Sequence, residues 1–219
     1  TAKSLHNAHN ATLYAAAARD ESRALGLSPK IAYDSYEKLI QDPHIQAVYI
    51  SLNNDAHLPW ILKSLDAGKH VLCEKPMVLN AGETINAYAH AKDKGLLLVE
   101  AVWSLWHPRA QRIQELVSSK AIGSPTNYLG TFTFDGVTKG NYRLDPNKGG
   151  GALYDVGIYP LHALVALLDE DTQYSLTQAE KENHGEQVDM TMKAQFDFTN
   201  SHSQGSAAIV SSFAMHPSQ

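Results

Sequence analysis

Three side chains in this sequence have the types and surroundings for proton or hydride chemistry. Lys75 stands in Glu74-Lys75-Pro76, directly after the apolar run His70–Cys73. A run of that kind reads as a buried strand, and in an open parallel sheet ligands gather at the carboxyl ends of strands. A strand-end lysine is commonly a solvated charge, but the proline behind it fixes a turn and makes the position less casual. The other two, Asp155 and Tyr159, lie four residues apart in an apolar segment that follows Gly149-Gly150-Gly151. At that spacing an acid and a phenol share one face of a helix. A hydrogen-bonded pair packed at a domain seam would account for them as well as a proton-transfer site would. The glycines allow close approach of another backbone or of a ligand.

The elements that must position these groups follow from periodicity. The amphipathic stretch 35–41 predicts a helix, and Ala47–Leu52 a buried strand. A helix is expected over 56–67, with Pro59 in its first turn and Gly68 closing it. The strand 70–73 and a helix from Asn80 to Lys94, closed by Gly95, lead to a strand from Leu96. Ala11–Ala18 (ATLYAAAA) is rich in the best helix former, yet this context favours a strand of the same sheet. Continuous apolar strands alternating with helices indicate a parallel sheet covered on both faces. Beyond Ala121 the pattern changes. Thr126–Phe134 alternates, the triple glycine opens an apolar helix reaching Leu168, and two more alternating segments cover 189–198 and 207–213. The expectation is an α/β, Rossmann-type parallel-sheet domain over 1–120. An α+β domain with a mainly antiparallel sheet follows over 121–219.

Composition narrows the function. In 219 residues, 43% are hydrophobic and 19% charged, an ordinary globular balance rather than a disordered one. The net charge of -5, with 18 basic against 23 acidic residues, offers no basic stripe for a phosphate backbone, so no nucleic-acid partner is expected. No apolar stretch is long enough for a bilayer and no signal-peptide pattern opens the chain, so neither membrane nor export is expected. The single Cys73 has no internal disulfide partner and suits a reducing, cytoplasmic setting. The eleven histidines show no metal-ligand spacing, so no metal is expected, and no Gly-x-Ser-x-Gly nucleophile motif occurs.

Taken together, strand-Glu-Lys-Pro at 74–76 and Gly-Gly-Gly-x-x-x-Asp-x-Gly-x-Tyr at 149–159 resemble the glucose-fructose oxidoreductase, inositol dehydrogenase and biliverdin reductase-like (Gfo/Idh/MocA) family. Glu100-Ala101-Val102-Trp103, the lead Asn141–Pro146, and tyrosine rather than histidine after Asp-x-Gly are similar to its dimeric dihydrodiol dehydrogenase and NADP-dependent D-xylose dehydrogenase branch. The resemblance implies an NAD(P)-dependent dehydrogenase acting on a CH–OH group of a sugar, polyol or cyclic diol, working as a homodimer. It assigns Lys75 as the catalytic lysine beside the nicotinamide, Tyr159 as general acid/base and Asp155 to the same pocket. It also places Arg19, Asn54, His57, Glu74, Lys75 and Trp103 along the cofactor. An arginine near the ribose suits a 2′-phosphate, which favours NADP while leaving NAD open, and Asp20 beside it pulls the other way. The lysine ammonium is expected to favour the tyrosine phenolate. The family's Gly-x-Gly-x-x-Gly would precede Thr1, and both domains are expected to be incomplete. Where relatives often carry arginine two residues after the tryptophan, this chain has Leu105. The same fold also serves as a non-catalytic nucleotide-sensing regulator and as an NAD-dependent glycosidase. The presence of Lys75, Asp155 and Tyr159 together favours the dehydrogenase.

Overall fold

The computed structural model describes residues 2–215. Its chain contacts divide into two compact units. The first comprises Thr1–Ser51, Leu58–Cys73 and Ala81–Val99; the second Leu52–His57, Glu74–Asn80 and Glu100–Gln219. Two strand-end segments of the first half thus pack with the second unit, a grouping that sequence order alone conceals.

In the first unit, helix α1 (Ala2–His6) precedes strand β1 (Ala15–Ala17), which pairs in parallel with β2 (Ile31–Tyr33). Helix α2 (Glu21–Leu25) lies between them, its first turn capped by Asp20, which accepts from the Ser22 amide. Ser35 caps α3 (Tyr36–Gln41) in the same way, because a short side-chain oxygen satisfies an amide that has no carbonyl partner at a helix start. A second parallel sheet has the order β3 (Ala47–Ile50), β4 (His70–Glu74), β5 (Leu98–Ala101). Helices α4 (His57–Asp66) and α5 (Ala81–Asp93) connect these strands. The core is apolar, with Ile61, Leu65, Val71, Cys73, Ala87 and Leu98 buried. Lys69 is buried among them, and its ammonium donates to the Asp42 and Ile45 carbonyls at 2.7 and 2.8 Å.

The second unit begins its own sheet after α6 (Pro108–Ser118). The strand order is β6 (Asn127–Thr133), β9 (Gln204–Ser212), β8 (Thr191–Thr199), β7 (Gln173–Glu182). Two of its pairings are antiparallel, and β6 runs parallel to β9. Helix α7 (Ile158–Leu167) packs Leu164 against Phe198 and Ala207 of the sheet. A second cluster joins Ala152, Val156, Met190 and Phe213. Burial of a large apolar side chain of this kind stabilises by about 1.5–3 kcal/mol.

Sequence pattern and structure part company in three places. The segment from Ala11 supplies only three strand residues. Strand β7 has no buried side chain at all, so the alternation that betrays a half-buried strand is missing from it. The apolar helix expected after the triple glycine opens as a π-helical turn, Leu153–Gly157, before α7 begins; such wide turns are frequent at functional sites.

Candidate active site

Every candidate catalytic side chain lies in the second unit. Lys75 sits at the turn after β4, its peptide bond to Pro76 cis. Its ammonium donates to Asp155 Oδ1 at 2.9 Å and to the Asp155 backbone carbonyl. On the other side of the same carboxylate, Arg143 Nε donates to Oδ2 at 2.6 Å. One acid therefore faces two cations, and the Lys75 and Asp155 side chains are only 13% and 11% exposed. Charge-assisted bonds of this sort are short and strong, and burial makes both partners dependent on each other.

Tyr159 stands next to this triad. The Lys75 ammonium is 5.2 Å from its ring centroid. Phe132 and Trp103 flank the ring, with centroids 5.2 and 5.7 Å away. Trp103 donates its indole N–H to the phenol oxygen at 2.9 Å. That bond uses one lone pair and orients the hydroxyl, leaving the phenolic proton to be given or taken elsewhere. The expected lowering of the phenol by Lys75 is not what this form of the protein shows. Burial pushes Tyr159 above its ordinary value, the Trp103 N–H works against that, and the negative charges of Glu74 and Asp155 add to the rise. The physical reason is that burial disfavours the charged phenolate, and the two carboxylates reinforce this more than Trp103 and Arg143 oppose it.

The surrounding turns are held by backbone contacts. Asn54 is buried and donates from Nδ2 to the Gly149 carbonyl at 2.8 Å. Gly149 adopts φ 67°, and a Cβ there would come within 3.0 Å of the Asn54 Cβ, so a larger residue is excluded both by conformation and by space. The Tyr154 hydroxyl donates to the Leu79 carbonyl at 2.5 Å. Asp189 accepts the Leu153 amide at 2.7 Å, fixing the start of the π-helical turn, and burial raises its carboxyl above the usual range.

His57, which the resemblance sets along the cofactor, faces two backbone carbonyls in the structure. Its side chain is fully buried, with Nδ1 2.9 Å from the Pro76 carbonyl oxygen and Nε2 3.1 Å from that of Leu52. A ring with no exposed surface ties together the two turns that follow β3 and β4. Glu74, part-buried, accepts the Lys75 amide at 3.3 Å. In the first unit, Arg19 is exposed just after β1, and Asp20 is engaged as the α2 cap. The residue that pattern reading passed over is Arg143. It lay within the Asn141–Pro146 lead, but nothing local marks a cation twelve residues before Asp155 as its partner. A cleft of about 680 Å³ lined by Gln111, Gln114, Asp169, Asn200 and His202 includes none of these residues; the chemistry is where the charges converge.

The chain is similar to known proteins over both of its halves. Positions 1–102 match the model of the GFO/IDH/MocA oxidoreductase family with its NAD-binding Rossmann fold, and 110–219 match the GFO/IDH/MocA C-terminal domain. The chain belongs to the Gfo/Idh/MocA family. Among members of that family, it is 34% identical over 206 residues to D-xylose 1-dehydrogenase (NADP(+)) 2 of Haloferax volcanii, covering 91% of this chain and 61% of that protein. It is 40% identical over 149 residues to trans-1,2-dihydrobenzene-1,2-diol dehydrogenase of Mus musculus, covering 66% and 44%. The chain thus spans about half the length of the curated relatives it matches. Among solved structures, a 3-ketoreductase from Actinomadura kijaniata, in complex with NADP and TDP-benzene, superposes with a TM-score of 0.86. It is 26% identical, with coverage of 98% of this chain and 66% of the other. The Gfo/Idh/MocA fold accounts for a parallel-sheet domain followed by a mainly antiparallel one.

Proposed function

We propose that the protein is an NAD(P)-dependent dehydrogenase moving hydride between nicotinamide and a CH–OH carbon of a sugar, polyol or cyclic diol. The observation that carries this reading is the meeting of Lys75, from the turn after β4, with Asp155 and Tyr159, from the segment after the triple glycine, the phenolic proton being left available. The donor set fits a nicotinamide dinucleotide. An ammonium and an exposed indole, Trp103 at 61% exposure, stand beside the phenol at a strand end. In the first unit the exposed Arg19 suits a 2′-phosphate, with Asp20 diverted to its helix. Lys75, Glu74, Asn54 and Trp103 are the groups we assign to the cofactor in the second unit. The cofactor, when bound, supplies or accepts the hydride.

The chain's own residues handle the proton. Tyr159, held as the neutral phenol by burial, gives its proton to a substrate carbonyl oxygen during reduction; in oxidation it first releases that proton to solvent, and the phenolate then accepts the proton of the substrate hydroxyl. Trp103 steadies the phenol oxygen and favours the charge that appears on it when the proton leaves. Asp155 holds the Lys75 ammonium in place, and Arg143 holds Asp155 from behind, so that neither flexible side chain must be ordered during the reaction. Under this reading residues 1–120 serve the dinucleotide and 121–219 the substrate, NADP is preferred to NAD, and the protein is a cytoplasmic homodimer.

The deciding experiment incubates full-length protein with NADP and a panel of sugars and diols while following nicotinamide absorbance. Net, substrate-dependent reduction of NADP is expected. Binding without turnover would instead identify a nucleotide-sensing regulator, and glycoside cleavage without net NADP consumption a glycosidase.

A further inference from the structure

One charged contact near the site is not used by the scheme above. Glu100, on β5, has a side chain only 16% exposed. Its Oε1 accepts the Met77 amide at 2.7 Å and its Oε2 faces His162 Nε2 at 3.0 Å. Both partners are placed by chemistry. Pro76 has no N–H, so Met77 carries the first amide after Lys75 that a side chain can hold. His162 lies three residues beyond Tyr159 on α7, the spacing that sets two side chains on one helix face. A carboxylate can accept from two donors at once in fixed directions. Burial opposes its ionisation, but the His162 ring and the Met77 N–H together outweigh this and hold the carboxyl below its ordinary value.

We propose that Glu100 is a positioning residue, a brace that fixes the Lys75 turn against the helix bearing Tyr159. This rests on the hydride-transfer reading above. The brace touches neither substrate nor cofactor and acts through the distance between the two groups that do. Misplacement of a reacting group by about 1 Å can cost about a hundredfold in rate. Glu100→Ala or His162→Leu is therefore expected to lower kcat by about ten- to a hundredfold while leaving NADP affinity within about threefold. The double variant should be little worse than either alone, since each substitution already severs the link between the Lys75 turn and α7. Glu100→Gln keeps an oxygen for Met77 and an NH2 for a His162 nitrogen, and should restore kcat to within about threefold of the parent.

The test measures kcat, KM and NADP affinity for these variants in the full-length enzyme, with hydrogen exchange at the Met77 amide by selective 15N-methionine labelling. Faster Met77 exchange together with a loss confined to kcat, rescued by glutamine, supports the brace. In Glu100→Ala, faster exchange with unaltered kcat or unaltered exchange overturns it, as does a Gln variant as impaired as the Ala variant. Tyr159→Phe is run in parallel. Its turnover reports on the hydride-transfer reading alone, whereas Met77 exchange needs no turnover, so failure of the brace and failure of that reading are told apart.

Discussion

Replacing Asp155 by asparagine keeps the shape of the side chain and removes the one negative charge between two cations. The 2.9 Å contact to Lys75 corresponds to about 6 kcal/mol of attraction at an effective dielectric of about 20, most of it offset by desolvation. Breaking a buried pair from one side nonetheless costs about 3–5 kcal/mol, because the stranded charge stays behind. Arg143 is 31% exposed and can recover water, so the lower end, about 3 kcal/mol, is the expected cost. At about 2–4 °C per kcal/mol for a fold of 150–250 residues, the melting temperature should drop by about 6–12 °C. Thermal unfolding followed by circular dichroism measures this, with turnover of the same samples. Adding Lys75→Met removes the stranded ammonium and should return part of the stability with none of the activity. A melting temperature within about 1 °C of the parent would refute the reasoning, as that is well below the shift expected from an uncompensated partly buried charge.

Tyr159→Phe should reduce turnover by about a hundredfold to ten-thousandfold, the usual contribution of a general acid/base, with NADP affinity measured by fluorescence titration nearly unchanged. Because the folded-state value of Tyr159 is raised above the ordinary 10.0, the phenol should stay neutral through physiological pH and ionise only above pH 10. Tyrosinate absorbance of the cofactor-free parent minus that of Tyr159→Phe reads this directly, Trp103→Phe should move it higher still by removing a donor to the phenolate, and ionisation below pH 10 would contradict the burial argument. Arg19→Ala should weaken NADP more than NAD, as measured by paired dissociation constants; unchanged discrimination removes Arg19 from the ribose site. Light scattering of the full-length protein should show a dimer at micromolar concentration, and a monomer would withdraw that part of the proposal.

Much of the architecture is written in local pattern. The apolar run Val71–Cys73 forms the middle strand of its sheet, with Val71 and Cys73 buried and Leu72 exposed on the other face, and Gly68 and Gly95, at φ 75° and 66°, end helices because a left-handed residue without a Cβ costs least there. Lys75, Asp155 and Tyr159 could be singled out by residue type and spacing, but spacing fitted a packed pair as well as a proton-transfer site, and their proposed roles came from the family resemblance. Strand β7 was not, because a strand with no buried side chain leaves no alternation to read. Tertiary structure alone decided who meets whom. Lys75 finds Asp155 across eighty positions, and Arg143 and Lys75 divide a single carboxylate between them. His57, which the family resemblance set along the cofactor, is turned inward onto two carbonyls. The direction of the Tyr159 shift was settled there as well. Burial of the phenol, with the carboxylates of Glu74 and Asp155 beside it, raises it more than Trp103 and Arg143 lower it, and only the folded chain brings those groups around one ring.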